Sequence, residues 1–164
     1  MKRMRVWGAV GSISLLAAMG LLALPHSEDR GEPVFSGGSY LTTIKDGGGY
    51  FASRSLITLH GDHTMLAVDS EEQGPSNYFS SQLGGWKSAG NHRILGRVID
   101  FQYPLSSNGP GMVRADYVMN LAPGRRYVSG TITVTVFPLQ NGSPFGDDGT
   151  PIGTFTFEGE RIEP

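Results

Sequence analysis

The chain of 164 residues contains no cysteine. Without thiols there is no disulfide framework, no thiolate zinc site, no cysteine nucleophile and no cysteine to carry a lipid. Charged residues are also few, at 17% of the chain, and the formal net charge is −2 with a pI near 6.0. Because binding to a phosphate backbone requires clustered Lys and Arg, this composition argues against a nucleic acid partner.

Amphipathic helices are missing as well, since no stretch after the amino-terminal segment repeats its apolar residues at helical spacing. Gly (24 residues) and Pro (10 residues) are abundant, and Thr, Val, Tyr and Phe are spread throughout. This combination is typical of short strands joined by turns, so we expect an all-β domain.

The amino-terminal segment has the layout of an export signal. Three basic residues within the first five precede an uncharged run over residues 6–24, and Pro25 follows. A basic start before an apolar run is typical of a secretory signal peptide. The run is also long enough to span a bilayer, so an uncleaved membrane anchor is the alternative.

The resulting division of the chain has three parts: a signal peptide or membrane anchor (1–25), a linker (26–34) and the folded domain (35–164). We expect the folded domain to be exported, either periplasmic or secreted, because the basic residues stay on the cytoplasmic side. Contact with a membrane is then expected only through an uncleaved amino-terminal segment.

Eight segments of the folded domain are predicted to be strands, with Gly, Pro and Asn clusters between them. They cover residues 39–45, 50–60, 63–69, 86–89, 92–103, 112–121, 127–139 and 152–160. Gly61 and Asp62 stand where a two-residue type II′ hairpin turn fits, and Pro123-Gly124 favours a type II turn. Most connections are hairpin-sized, so we expect neighbouring strands to pair antiparallel.

The clearest strand, residues 127–139, predicts which side chains face inward. Its apolar and polar residues alternate strictly, which is the pattern of a strand with one buried face. The third, sixth and eighth segments alternate in the same way. The predicted inward sets are Ile132, Val134 and Val136; Leu66 and Val68; Val113, Ala115, Tyr117, Met119 and Leu121; and Phe155 and Phe157.

The second and fifth segments mix polar and apolar residues on both faces. If their aromatic faces point inward, Ser53 and Ser55 come with Phe51, and Arg97 comes with Phe101. A buried Arg97 would need a carboxylate or several acceptors, because an unpaired buried charge is costly. The alternative is that Arg97 faces water, through a position near a barrel mouth or a bulge at Gly96.

Closure of the sheet would remove both unprotected edges of an eight-stranded meander. We therefore predict an eight-stranded antiparallel meander closed as a small soluble β-barrel, with a two-sheet sandwich as the alternative. Solubility follows because the outward faces carry Thr, Arg, Asp and Asn, whereas a membrane-spanning barrel needs an apolar outer band.

The strand number, the meander order and the inward apolar pattern resemble the lipocalin-like (calycin) and allene-oxide-cyclase-like small β-barrels. Gly84-Gly85-Trp86 is similar to the lipocalin Gly-x-Trp motif, although it falls on the fourth strand instead of the first. The cyclase resemblance implies a barrel that folds an apolar substrate and guides ring closure. None of that family's functional residues matches a position of this chain.

Motifs for metal or cofactor chemistry are weak, and we expect neither a metal nor a cofactor. His60, Asp62 and His63 could ligate zinc but are better explained as a polar hairpin tip. Asp147-Asp148-Gly149 lacks the spacing of a calcium loop. Asp100 and Asp116 could act as acid or base, but the alternation predicts that both face solvent.

The leading functional hypothesis is a barrel that binds a small apolar or amphipathic molecule in its interior. The alternatives are a cyclase or isomerase using the same cavity, and a structural envelope-associated module with a filled core. Aromatic residues would line the cavity, while Arg97 or Ser55 would contact a polar end of the ligand. The predicted ligand-binding residues are Ser55, Trp86, Arg97, Phe101, Tyr103, Tyr117, Phe155 and Phe157.

Overall fold

A computed structural model describes residues 35–72, 78–90, 92–104 and 109–164. The predicted signal and linker, residues 1–34, lie outside the described residues. In the described part the protein is all-β, with one short 3-10 turn, and no helix there has the length and apolarity to cross a bilayer. The strands are β1 (Gly37–Lys45), β2 (Phe51–His60), β3 (Thr64–Asp69), β4 (Gln82–Ser88), β5 (Arg93–Gln102), β6 (Gly111–Leu121), β7 (Tyr127–Pro138) and β8 (Thr150–Arg161).

The eight strands form a closed antiparallel barrel in sequence order. Strand β8 pairs with β7 on one side and with β1 on the other, where Ile44 lies opposite Phe157. The predicted fold class is therefore confirmed, and the sandwich alternative is excluded because the barrel closes between β1 and β8.

One of the two predicted turn types is confirmed and the other is wrong. Gly124 has φ 78° and ψ −5°, and the Arg125 amide donates to the Ala122 carbonyl at 2.8 Å, as a type II turn requires. The β2–β3 connection is instead a three-residue loop in which His63, with φ 68°, takes the left-handed conformation. The predicted type II′ turn at Gly61 is thus wrong, because the positive φ falls two residues later.

The barrel interior has two ends of different character. At the packed end, where β1, β3, β5 and β7 begin, large side chains including Tyr40, Leu59 and Trp86 fill the space. At the cavity end, where β2, β4, β6 and β8 begin, the interior contains an open space between the strands. The inward sets predicted for β6 and β8 are confirmed, since Ala115, Tyr117 and Phe157 are buried.

The inward face of β3 is the reverse of the prediction, and the inward face of β5 is the one opposite to Arg97 and Phe101. On β3, Met65 and Ala67 are buried in the core, whereas Leu66 and Val68 are only half-buried. On β5, Ile94 and Val98 face inward together with Gly96. A Cβ at position 96 would lie 2.6 Å from the Met65 sulfur, so a larger residue there would force the Met65 side chain to move.

The loop from residue 139 to 149 folds back over the outer surface of β6 and β7. It covers Phe137, which is fully buried, and Thr135, which is 7% exposed. Arg114 fastens this loop: its Nη1 donates to the carbonyls of Pro144 (3.0 Å) and Gly146 (2.7 Å). The guanidinium also lies over the Phe137 ring, 5.2 Å from the centroid, so the barrel wall carries a second small core outside the barrel.

Replacing Arg114 with Met is expected to lower the free energy of unfolding by about 2–3 kcal/mol, because one buried and one partly buried carbonyl lose a charged donor. Protease cleavage within residues 139–149 should accelerate as the loop loosens. Arg97→Met is the matched control. Both arginines pair with Asp116, the Arg114 Nε lying 2.9 Å from Asp116 Oδ2, but the Arg97 side chain is 48% exposed. That variant should change stability by less than about 1 kcal/mol. Equal losses in urea denaturation of the two variants would contradict the role of Arg114.

Candidate functional site

The cavity end contains a cavity of about 260 Å³ that is partly open to solvent. All eight strands contribute to its lining, along with Glu71 and Phe79 from the β3–β4 connection. An apolar cavity of about 150 Å³ holds a benzene molecule, so this volume suits a ligand of roughly ten non-hydrogen atoms.

The lining is apolar on one side of the barrel and polar on the other. Strands β1, β7 and β8 contribute only apolar side chains, among them Ile44, Ile132, Val134 and Phe155. The polar side chains come from β2 to β6 and the β3–β4 connection: Ser53, Asp69, Glu71, Gln82, Asp100, Gln102 and Tyr117. A cavity divided in this way matches a molecule with one apolar and one polar face.

Asp100 is the most deeply buried carboxylate of the lining, with 3% of its surface exposed. Gln82 Nε2 donates to its Oδ2 at 3.0 Å, while its Oδ1 has no hydrogen-bond partner among the described residues. Burial raises the pKa of Asp100 to about 7, and the nearby charge of Glu72 acts in the same direction. The carboxyl can therefore exchange a proton close to neutral pH.

Tyr117 extends this arrangement across the cavity wall. Its hydroxyl donates to Gln82 Oε1 at 2.9 Å, so Gln82 connects the phenol of β6 with the carboxyl of Asp100 on β5. Burial, together with the charges of Asp69 and Asp100, raises the pKa of Tyr117 far above its ordinary value. The phenol consequently stays protonated and acts as a fixed donor.

Asp69, at the end of β3, forms the second acidic group of the lining. It accepts hydrogen bonds from Ser53 Oγ and from the Glu71 amide, each at 2.9 Å. Burial raises its pKa, and the charges of Glu71 and Glu72 add to the shift. Glu72 in turn accepts from the Asp69 amide at 3.2 Å, so the carboxylates are close enough to interact.

The structure places two of the predicted ligand-binding residues, Tyr117 and Phe155, in the cavity lining. Ser55 is 2% exposed, and its hydroxyl donates a hydrogen bond to the Val68 carbonyl at 3.1 Å. Phe157 packs edge-on against Tyr117, with ring centroids 6.1 Å apart, and belongs to the core. Trp86 lies at the packed end, where it contacts Phe35 and His63.

The other three predicted residues point away from the interior. Phe101 is 50% exposed and Tyr103 is 46% exposed. Arg97 faces solvent and forms an ion pair with Asp116, its Nε 2.6 Å from the Asp116 Oδ1. Their inward placement is corrected because the opposite face of β5 is buried, and the ladders to β4 and β6 run through Gly96 without a bulge.

Three residues of the site were not predicted from the sequence: Asp100, Gln82 and Asp69. Asp100 alternates with Ile94 and Val98 on β5, so the signal was a carboxylate in phase with β-branched residues. The prediction that Asp100 faces solvent is wrong, whereas Asp116 does lie on the outer surface, 30% exposed. Gln82 was outside the predicted fourth strand because the prediction began at Trp86, whereas the observed β4 begins at Gln82.

The histidine hairpin tip behaves as the polar turn that the sequence favours. His60, Asp62 and His63 are exposed, and Asp62 Oδ1 accepts from the Thr64 amide at 2.9 Å. In the described ranges no three His, Asp or Glu side chains are arranged to hold a metal ion.

Comparisons with protein-family models, curated proteins and solved structures returned no significant match. The interpretation of the cavity therefore depends on its own geometry and chemistry.

Proposed function

We propose that this protein is an exported barrel that binds a small amphipathic molecule in its interior. The observation that carries the proposal is the cavity of about 260 Å³, with apolar side chains on β1, β7 and β8 and polar side chains on β2 to β6. Burial of the ligand's apolar part would supply affinity, and the few polar groups would fix its orientation. The proposal includes a lipocalin-like or allene-oxide-cyclase-like assignment, which the number and order of the strands support.

The second candidate function is a cyclase or isomerase acting in the same cavity, and Asp100 favours it. A buried carboxyl with a pKa near 7 can accept a proton from a substrate and return it at neutral pH. The Gln82–Tyr117 contact would hold that carboxyl in one orientation. Binding and catalysis differ in whether the bound molecule leaves the protein unchanged.

The test combines native mass spectrometry of the purified chain with displacement of an environment-sensitive apolar dye. We expect a co-purified or displacing molecule, and Ala115→Leu should weaken its binding about tenfold or more because the larger side chain fills the cavity. Val118→Leu, a change on the outward face of the same strand, is the matched control and should leave binding intact.

Recovery of the bound molecule in unchanged form supports a binding protein, and its conversion over time supports the enzyme. If no dye binds and no molecule co-purifies, both candidates fail and a structural module is favoured. Equal binding by the Ala115→Leu variant and the parent chain would place the ligand outside the cavity.

A further inference from the structure

The charges of the cavity have one sign. The ionisable side chains of the lining are Asp69, Glu71, Asp100 and Tyr117, and none of the described lining residues is Lys, Arg or His. Glu72 is close to this group, since its side chain accepts a hydrogen bond from the Asp69 amide. The sequence contains no charged residue over 73–77 or 105–108. A cationic ligand would therefore be attracted and an anionic one repelled.

Two buried acceptor atoms in this part of the chain lack donors. Asp100 Oδ1 and Gln102 Oε1 have no hydrogen-bond partner among the described residues, and both side chains belong to the cavity lining. They come from the same strand two positions apart, so they face the same side. A buried acceptor left without a donor is costly, so a molecule that brought N–H groups to these two oxygens would remove that cost.

A ligand that satisfies these conditions needs several donors at one end and an apolar body. An ammonium group carries three N–H donors and a positive charge, whereas a hydroxyl carries one donor and no charge. The apolar side chains of β1, β7 and β8 would contact the rest of the molecule. The volume limits that body to about the size of a single substituted ring.

On the basis of the proposed function, we propose that the cavity binds a small primary amine. Its ammonium group donates to Asp100 Oδ1 and Gln102 Oε1, and its apolar body packs against β7 and β8. Asp69, Glu71 and Glu72 add to the negative potential without direct contact. Tyr117 stays neutral and holds Gln82 in place.

Amine binding should then depend on pH in one direction. Asp100, whose pKa is raised to about 7, must lose its proton to accept the ammonium, and the raised pKa of Asp69 has the same sign. Affinity should rise as the pH increases from 5.5 to 8, and binding at neutral pH should release a proton from the protein.

The experiment uses the full chain and three probes of similar size: 2-phenylethylamine, 2-phenylethanol and phenylacetate. Isothermal titration calorimetry at pH 8 should show the amine binding at least tenfold more tightly than the alcohol, with phenylacetate weakest. At pH 5.5 the amine should lose about tenfold in affinity or more. Titrations in two buffers of different ionisation enthalpy should show proton release at pH 7.

Two variants locate the contact. Asp100→Asn should remove most of the preference for the amine and most of its pH dependence, while 2-phenylethanol still binds. Gln102→Met, which removes the second acceptor, should weaken the amine several-fold and leave the alcohol nearly unchanged.

The outcomes separate this inference from the proposed function. If the alcohol or phenylacetate binds as tightly as the amine, or if Asp100→Asn keeps the preference, the amine assignment is wrong while the cavity still binds ligands. If none of the three probes binds and none displaces an apolar dye, both the amine assignment and the proposed function are overturned.

Discussion

At pH 8 the free energy of unfolding of the Asp100→Asn variant is expected to be on the order of 4 kcal/mol higher than that of the parent chain. The parent must keep a buried carboxylate ionised at that pH, with only Gln82 Nε2 donating to it. Its pKa is raised from 3.8 to about 7, a shift of about three units at 1.36 kcal/mol each. Asparagine keeps the acceptor for Gln82 and carries no charge.

The effect has a defined pH window. In the unfolded chain Asp100 loses its proton near pH 3.8, whereas in the folded protein it keeps the proton until about pH 7. Between these values the folded state binds the extra proton, so the parent loses stability as the pH rises. Below pH 4 both states are protonated, and the variant and parent should be nearly equal. Above pH 7 the full difference is present.

Urea denaturation at pH 4.5, 6 and 8 measures this difference. The stability advantage of Asp100→Asn over the parent should increase steadily from pH 4.5 to pH 8. The control Asp147→Asn, which changes an exposed loop carboxylate, should have the stability of the parent at every pH. A difference that stays constant with pH would show that the charge of Asp100 is not its cause, and the inward carboxylate would lose its energetic role.

Trp86→Ala is expected to lower the free energy of unfolding by about 3–5 kcal/mol. The indole is 6% exposed and lies against Phe35 and His63, with ring centroids 5.3 and 4.6 Å away. Its Nε1 donates to the His60 carbonyl at 2.9 Å, which links β4 to the end of β2. Truncation would leave a cavity at the packed end and remove one of the two donors to the His60 carbonyl, the other being the His63 amide at 3.1 Å.

Trp86→Phe is the matched variant, because it keeps an aromatic ring and removes the donor. Its loss of stability should be about 1–2 kcal/mol, and its affinity for ligands should stay within about twofold of the parent. Thermal denaturation and calorimetric titration provide the two readouts. A large loss of ligand affinity in Trp86→Phe would show that Trp86 belongs to the binding site. A Trp86→Ala variant as stable as the parent would contradict the structural role of Trp86.

The strands of this barrel could be predicted because each is a local pattern ended by a local turn. Seven of the eight predicted segments begin within two residues of the observed strands, and the alternation of β7 assigned β6 and β8 to the correct face. The fourth strand was predicted too short because Gly84 and Gly85 interrupt its β-forming residues. These elements depend on neighbouring residues, which is the information that a single sequence contains.

The faces of β3 and β5 could not be predicted, because both faces of each strand are apolar. On β5 Ile94 and Val98 compete with Leu95 and Ile99, and the count of apolar residues does not decide between them. The decision comes from distant partners: Asp116 pairs with Arg97 on the outside, and Gln82 donates to Asp100 on the inside. The candidate site was missed for the same reason, since its carboxylate is buried only in the reversed orientation.

The pairing of β1 with β8 gives the barrel a seam that joins the two ends of the domain, at Tyr40 and Arg161. A contact so distant in sequence is entropically costly to form, and topologies that depend on such contacts fold slowly. Until β8 is in place, β1 and β7 each expose an unpaired edge, which is the surface on which foreign strands add. During synthesis the chain is therefore most vulnerable to aggregation just before β8 is available.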